Sequence, residues 1–484
     1  ALKNNTTRSN LVAVGDSSLL KNGLGVTLNT QAIHNTAIGS KSQANNTTGS
    51  DNTALGYLSM ISNISGSGNS AIGSSSLANN QTGSNNTVLG YSALFGNNSG
   101  SNNVAIGASA MILNNSGNSN VAIGIKALYL NTVKSNLVAI GDSALYKNGQ
   151  GATSQQAVYN TAIGSKVLYA NTIGSANTGL GFLALTANIS GNLNTGLGTG
   201  VLSENTTGSF NCAFGTSSLQ SNISGSSNVG IGIYALQELI DGDNNVAIGQ
   251  RAGNNLASGS GNVFLGYEAG YNETASNRLY ISNSNADGSS ALVYGEFDNQ
   301  VFRINGNVGI GESPGSYKLS VRHNSYGLKI QNTDYPTNSW EFFQAPTGNL
   351  DLYIQSGSNI GSFDYVSGVY TALSDRRMKE NIQPMNPVLA NVMKLQADNY
   401  TFIADPDHKP YFGFIAQEVE QIFPHLVTPP SEEQGRASNY TMDYSGFGVL
   451  AIKAIQEQQV IIDAQEARIA KLEALVQELI AKEN

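Results

Sequence analysis

Through the first 270 residues the hydrophobic positions fall in two short stretches per seventeen residues, separated by runs of Gly, Asn and Ser. The phrase Asn-x-Ala-Ile-Gly marks the register. Its glycines are Gly15, Gly39, Gly56, Gly73, Gly90, Gly107, Gly124, Gly141, Gly164, Gly181, Gly198, Gly215, Gly232, Gly249 and Gly266. Of the 14 intervals, 12 are 17 residues long. The other two, 24 after Gly15 and 23 after Gly141, carry insertions of seven and six. Both follow nearly the same words, SNLVAVGDSSLLKNG at 9–23 and SNLVAIGDSALYKNG at 135–149, so a longer duplication of about seven turns overlies the short period. Self-similarity at a fixed period is the mark of a stacked repeat architecture.

Each position of the repeat has a physical reading. The residue before Gly is always Ile, Leu, Val or Phe, and Leu or Met stands four residues after it in 12 of 15 turns, as at Leu77, Leu94, Met111 and Leu128. The intervening Gly, Asn and Ser tolerate left-handed corners. Asn precedes Gly by four residues in 13 of 15 turns (Asn35, Asn52, Asn69), which suits a stacked side-chain ladder. A helical reading of stretches such as GIKALYLN fails, because the Asn-Ser-Gly runs leave no room for the ~10 or more residues a stable helix prefers. The pattern predicts a β-solenoid. At ~4.8 Å per stacked turn it makes a rod on the order of 70 Å long. One turn buries few apolar groups, so a single chain is weakly held and three copies about an axis are the expected remedy. The NVAIG and NTAIG words resemble the head repeats of trimeric autotransporter adhesins. That resemblance implies a left-handed parallel β-roll trimer, although those repeats are usually shorter than this one.

Composition narrows the function. Charged residues are only 12% and the net charge is −9, against the clustered Lys and Arg that nucleic-acid binding needs. Gly, 54 residues, has no three-residue rhythm and Pro is scarce at 10, which excludes collagen. One cysteine, Cys212, excludes an intrachain disulfide framework and, at a Thr/Val repeat position, reads as a small core residue. The sequence has no apolar run of 18 or more residues, so no membrane span is expected. The histidines His34, His323, His408 and His425 are dispersed without paired spacing, and no metal or cofactor is expected. The GxG pairs, such as Gly179 and Gly181, are repeat corners. The chain starts at Ala1, which fits a removed leader or a start inside a longer chain.

Beyond Gly266 the text reads as short alternating strands with Gly, Asn and Asp turns. The aromatics are densest here: Tyr280, Tyr294, Phe302, Trp340, Phe342, Phe343 and Tyr353. They are half-buried strand residues or a sugar-stacking surface. From Thr371 charge rises and Gly falls. Three words stand out: LSDRRMKENI (373–382), FGFIAQEVEQIFPHLV (412–427), read as a helix ended by Pro424, and YSGFGVLAIKAIQEQ (444–458). Ile455, Ile462, Ile469 and Val476 then repeat every seven residues, with Gln458, Gln465, Leu472 and Leu479 between them. These are the a and d sites of a coiled coil about four heptads long, a pattern that does not by itself choose three strands over two.

The three words, in this order over 371–484, closely resemble the intramolecular chaperone auto-processing domain that ends phage endosialidases, tail spikes and tail fibres. The resemblance implies a domain that trimerises, templates folding of the fibre before it and then cuts itself off. The family's catalytic pair falls on Ser374 and Lys379, with Leu373–Ser374 as the scissile bond. The chemistry is coherent: a serine hydroxyl needs a base close by, and Lys serves when desolvation or nearby cations lower its pKa. Arg376 and Arg377 supply such a field or are merely solvated. Asp375 favours charged Lys and so reads as a turn or helix cap.

The expected organisation is mainly β: a trimeric β-solenoid rod at 1–275, a β-rich neck or receptor-binding region at 276–370, an α+β chaperone domain at 371–446 and a coiled-coil helix at 447–484. The expected function is a homotrimeric tail fibre or adhesin on a virion tail or bacterial surface, outside the cell. Its partners are itself, a host or surface receptor (a glycan among the candidates) and a baseplate or cell-surface anchor at the N-terminus. Its only expected catalysis is self-cleavage. The alternatives are a glycan-degrading tail spike, whose carboxylates could sit only in 271–370, and a purely structural fibril.

Overall fold

The computed structural model describes the whole chain except residues 6–7, 322–327, 332–338, 346, 355–357, 404, 431, 434–435, 438 and 484. The chain is mainly β and divides into two compact units, Ala1–Gly327 and Leu328–Asn484.

In the first unit every repeat contributes one three-residue strand, from β1 (Val12–Val14) to β15 (Val263–Leu265). Equivalent residues pair in parallel, Ala105 against Ala122 and Ile106 against Ile123. The 17-residue period is therefore one coil of a β-solenoid. Both insertions loop out without disturbing register: β1 pairs with Thr36–Ile38, and Val138–Ile140 with Thr161–Ile163.

Strand alternation decides what lies inside. The middle residue, Ala54, Ala71 or Ala105, is fully buried, and the apolar residue before each Gly faces outward, as Ile72 and Leu89 do. Cys212 is the first residue of its strand and only partly buried; Ala213 beside it is the core residue. The expected small core position is thus corrected by the two-residue alternation. Burial still pushes the Cys212 thiol pKa up.

The second core row is the Leu or Met four residues after Gly, and here the backbone differs from expectation. Left-handed corners fall on Gly, Asn and Ser, but also on these buried side chains: φ is +50° at Leu77, +51° at Leu94 and +53° at Met111. A left-handed L-residue costs about 1–2 kcal/mol, while burying a Leu gains about 1.5–3 kcal/mol. Burial therefore holds the corner. The marker glycines are stricter. At Gly73, φ is +134°, and a Cβ would lie 2.5 Å from the Gly90 carbonyl oxygen of the next coil.

Two buried asparagine ladders run along the axis. In the expected one, the Asn52 Oδ1 accepts the Asn69 N–H at 3.0 Å while Asn52 Nδ2 donates to the Gly66 carbonyl at 2.9 Å. A second ladder, seven residues after Gly, links Asn46, Asn63, Asn80 and Asn97, each Nδ2 donating 2.7–2.8 Å to the previous Oδ1. Polar groups thus fill half the interior and remain bonded coil to coil. The ladder breaks at the second insertion, where Asn148 Nδ2 turns to the Ala157 carbonyl and leaves Asn131 Oδ1 without a partner. It ends where Leu239 and Leu256 take over.

Phe264 closes the solenoid. It replaces the small core residue, and Gly253 and Gly270 stand where Leu would otherwise clash with its ring. Tyr280 packs 5.9 Å from it and Tyr294 5.1 Å further on. The Tyr280 hydroxyl donates to Glu273 at 2.8 Å, and burial raises its pKa above the usual phenol range. β16 (Arg278–Ile281) continues the parallel stack, and β17 (Val293–Glu296) and β18 (Val301–Ile304) turn it antiparallel. A short parallel pair follows, β19 (Val308–Ile310) with β20 (Leu319–Val321).

The second unit opens with an antiparallel meander: β21 (Leu328–Gln331), β22 (Ser339–Gln344), β23 (Leu350–Ile354), β24 (Ser358–Phe363) and β25 (Tyr370–Ala372). The neck aromatics divide between caps and surface. Phe343 meets Tyr353 edge-on, while Trp340 and Phe302 are exposed. Then come α1 (Leu389–Val392), β26 (Asp398–Tyr400) paired with β27 (Tyr411–Gly413), α2 (Ala416–Glu420) and the 39-residue α3 (Ser445–Glu483). The helix expected over 412–427 is only α2, and Pro424 begins a separate 3-10 turn, Pro424–Leu426. Val388, Leu450 and Ala454 form the small core, backed by Phe423, Leu426 and Phe447.

Candidate functional site

β25 releases the chain at the expected cut. The Leu373 N–H still donates to the Ile360 carbonyl at 3.0 Å, and Ser374 is the next residue. Fully extended, Ser374 and Lys379 would stand roughly 16 Å apart. A single 3-10 turn, Arg376–Met378, folds them together. Asp375 caps it: its carboxylate accepts the Arg377 N–H at 2.8 Å and pairs with the Arg377 guanidinium, Nε to Oδ2 3.0 Å. The Lys379 N–H returns to the Arg376 carbonyl at 3.1 Å. Lys379 Nζ then donates to Ser374 Oγ at 2.8 Å. The two residues singled out by the sequence are brought into direct contact, within the reach that nucleophile–base pairs need.

Of the charges around the pair, Asp375 is the cap that its type suggested, and it holds Arg377. Side-chain hydrogen bonding to Arg377 holds the Asp375 carboxyl below its usual range, and the same bond raises Arg377. Arg377 is therefore committed to the cap, where Asp375 offsets its charge. Leu373, Ser374 and Lys379 are all exposed in a single chain, so packing within that chain does not desolvate the pair.

Sequence reading missed Glu457. From α3 its carboxylate accepts the N–H groups of Val388 at 2.9 Å and Leu389 at 2.9 Å, capping α1 across 69 residues. No motif flags it; an acid on an otherwise apolar helix face beside Leu450 and Ala454 was the available signal.

Among the described residues no group of three or more His, Cys, Asp or Glu is placed to hold a metal, and no helix is long and apolar enough to cross a membrane. His34 Nδ1 lies 3.0 Å from Asp51, and His323 lies outside the described residues.

The Ser374 turn and the segment C-terminal to it define a class. Residues 374–428, beginning at the serine, match the protein family described as Chaperone of endosialidase. The chain is also similar to a "Probable tail fiber protein" of Escherichia phage Phieco32, 26% identical over 157 residues, which is 32% of this chain and 20% of that protein. The matched region thus spans about a fifth of that relative. No solved structure matches. The chain is tail-fibre-like, a β-solenoid carrying an endosialidase-type chaperone segment near its C-terminal end.

Proposed function

We propose that this chain is a homotrimeric virion tail-fibre protein that attaches the particle to its host, anchored at a baseplate by its N-terminal end. Residues 1–275 form the rod, 276–370 a neck, 371–446 the chaperone and 447–484 a coiled coil. The observation that carries this reading is one chain joining a regular solenoid to a segment of the Chaperone of endosialidase family. Its similarity to a phage tail-fibre protein favours a virion over a bacterial surface. Trimerisation is supported by the apolar seam of α3: Ile455, Ile469, Leu472, Val476 and Leu479 are all exposed in the single chain. Exposed apolar rows of this length mark association surfaces.

The Ser374–Lys379 contact supports one self-cleavage. Neutral Lys379 takes the Ser374 Oγ proton as Oγ bonds to the Leu373 carbonyl carbon. The Leu373–Ser374 C–N bond breaks, the proton passes to the departing Ser374 amine, and an ester links Leu373 to Oγ. Water hydrolyses it, leaving a Leu373 carboxylate and free Ser374. Because the pair is exposed in one chain, its desolvation comes from association. Intact-mass measurement of the purified chain and of Ser374→Ala tests this: two fragments split at 373/374 are expected only from the first. A single mass from both sinks the cleavage and spares the chaperone. Light scattering that returns a monomer sinks the trimer.

A further inference from the structure

The insertion in the coil after Gly141 is built from beneath. Lys134 stands in a position that the preceding coils give to Gly100 and Gly117, and it is only 3% exposed. Its ammonium donates to the Thr153 carbonyl at the loop's crown. Thr153 N–H and Oγ1 both donate to Gln156 Oε1, at 3.0 and 3.1 Å. Burying an ammonium on one carbonyl, beside the unpartnered Asn131 Oδ1, is unfavourable. The preceding coils, with Gly100 and Gly117 at this position, bury no such charge, so the cost goes into holding this loop in one shape.

What the loop presents is uncharged. Residues 148–159, NGQGATSQQAVY, contain no Asp, Glu, Lys or Arg, and Ser154 and Gln155 are exposed. At its entrance Tyr129, Tyr146 and Tyr169 stack at 5.0 Å between centroids, with Lys147 over the last ring. At its exit Tyr159 is 65% exposed. Its equivalents in the adjoining coils, Asn136 and Ala176, carry no ring. Amides and hydroxyls that both donate and accept, beside an open aromatic face, are the chemistry that recognises sugar hydroxyls and sugar C–H faces. Prior ordering by Lys134 lowers the entropic cost of binding.

We infer that loop 149–156, with Tyr159 at its exit, is a binding site for a neutral polysaccharide. This rests on the attachment reading and gives it a place on the rod. The twin insertion after Gly15 has exposed Leu24 and Leu28 and no tyrosine, so it is not a second copy of the site.

The test uses the full chain in two variants. One replaces residues 149–157 with Thr-Ile-Gly, the corresponding residues 172–174 of the next coil, together with Lys134→Gly; this restores a 17-residue coil and keeps the solenoid intact. The other is Tyr159→Ser. Binding is measured on an array of neutral hexose and N-acetylhexosamine polymers and on host cells. The unaltered chain is expected to bind at least one polymer, the regularised chain none, and Tyr159→Ser roughly tenfold more weakly. Equal binding by the regularised chain, or no array binding by the unaltered one, overturns the site. Cell attachment lost after protease but kept after periodate treatment overturns the glycan class. Cell attachment that persists in the regularised chain overturns the site while sparing attachment; no attachment by any form overturns the attachment reading itself.

Discussion

The two units differ in how their interiors are satisfied. In the solenoid most coils repeat their neighbour's contacts: a buried small residue, a buried Leu or Met, and two asparagines bonded along the axis. Almost every interior group finds its partner one coil away, so stability is spread along the rod as a sum of neighbour terms. The C-terminal unit has, among its described residues, a small cluster of Val388, Leu450 and Ala454 with Val419 and Val427 also buried, and the apolar seam of α3 lies open. The interior of the first unit is satisfied by repetition within the chain, while its outward apolar row (Ile72, Leu89, Leu180) and the seam of α3 are both exposed in a single chain.

The sharpest break of the first pattern is Gly73→Ala. The new Cβ meets the Gly90 carbonyl at 2.5 Å and the backbone sits at φ +134°, so coils must separate. A loss of about 3–5 kcal/mol is expected, local to the adjoining coils, as strain and lost hydrogen bonds combine. Thermal unfolding with hydrogen exchange resolved along the rod reads it. Gly151→Ala is the control: φ is +75° and nothing lies within 4 Å, so roughly 1 kcal/mol is expected. Equal effects would show that contact between coils is not what demands Gly73.

A smaller break is Asn97→Ala. It removes the donor to Asn80 Oδ1 (2.7 Å) and Gly100 O (2.9 Å) and the acceptor of Asn114 Nδ2 (2.9 Å). Buried groups left unpaired cost about 1–3 kcal/mol each, so denaturant unfolding should show a loss of roughly 2–4 kcal/mol. Asn97→Leu should cost less, because Leu239 and Leu256 already fill this row near the rod's end. If Leu is no better than Ala, the row depends on amide bonding alone.

These contrasts bear on what could be read from residues. The period, the corner glycines and the first Asn ladder were legible because equal spacing forces equal environments once coils stack. The left-handed Leu77 and Leu94 were not, since residue preference argues against them and only burial reverses it. The second ladder was written in the same register but hidden by the abundance of Asn. Lys134 left a readable trace, a lysine at a glycine position, whose meaning needed the loop above it. In the C-terminal unit, words of family text located Ser374 and Lys379, and the turn through Asp375 supplied the geometry. Spacing reached no further: Glu457 and Val388 are 69 residues apart and meet only in the fold.

Glu457 supplies the smallest and most specific test of the comparison, because here the second unit has a satisfied, titratable contact across 69 residues of its own chain. Backbone donation, Leu389 first, holds the Glu457 carboxyl below its usual range, and Lys453, 3.9 Å away, acts in the same direction. A depressed folded pKa stabilises fully above the unfolded value, about 4.3 for Glu, and is lost as pH falls through the folded value. Hydrogen exchange over 386–395 in the full chain, corrected for intrinsic rates, should therefore show protection at neutral pH that fades below pH ~4. Glu457→Gln should be less protected at neutral pH and lack the acid transition, leaving the solenoid amides unchanged. The solenoid ladders are neutral amides and carry no such titration, so a matching acid transition there would mean that the two units are not stabilised in different ways. An unchanged profile in Glu457→Gln would show that packing against Leu450 and Ala454, not the carboxylate, holds α1 in place.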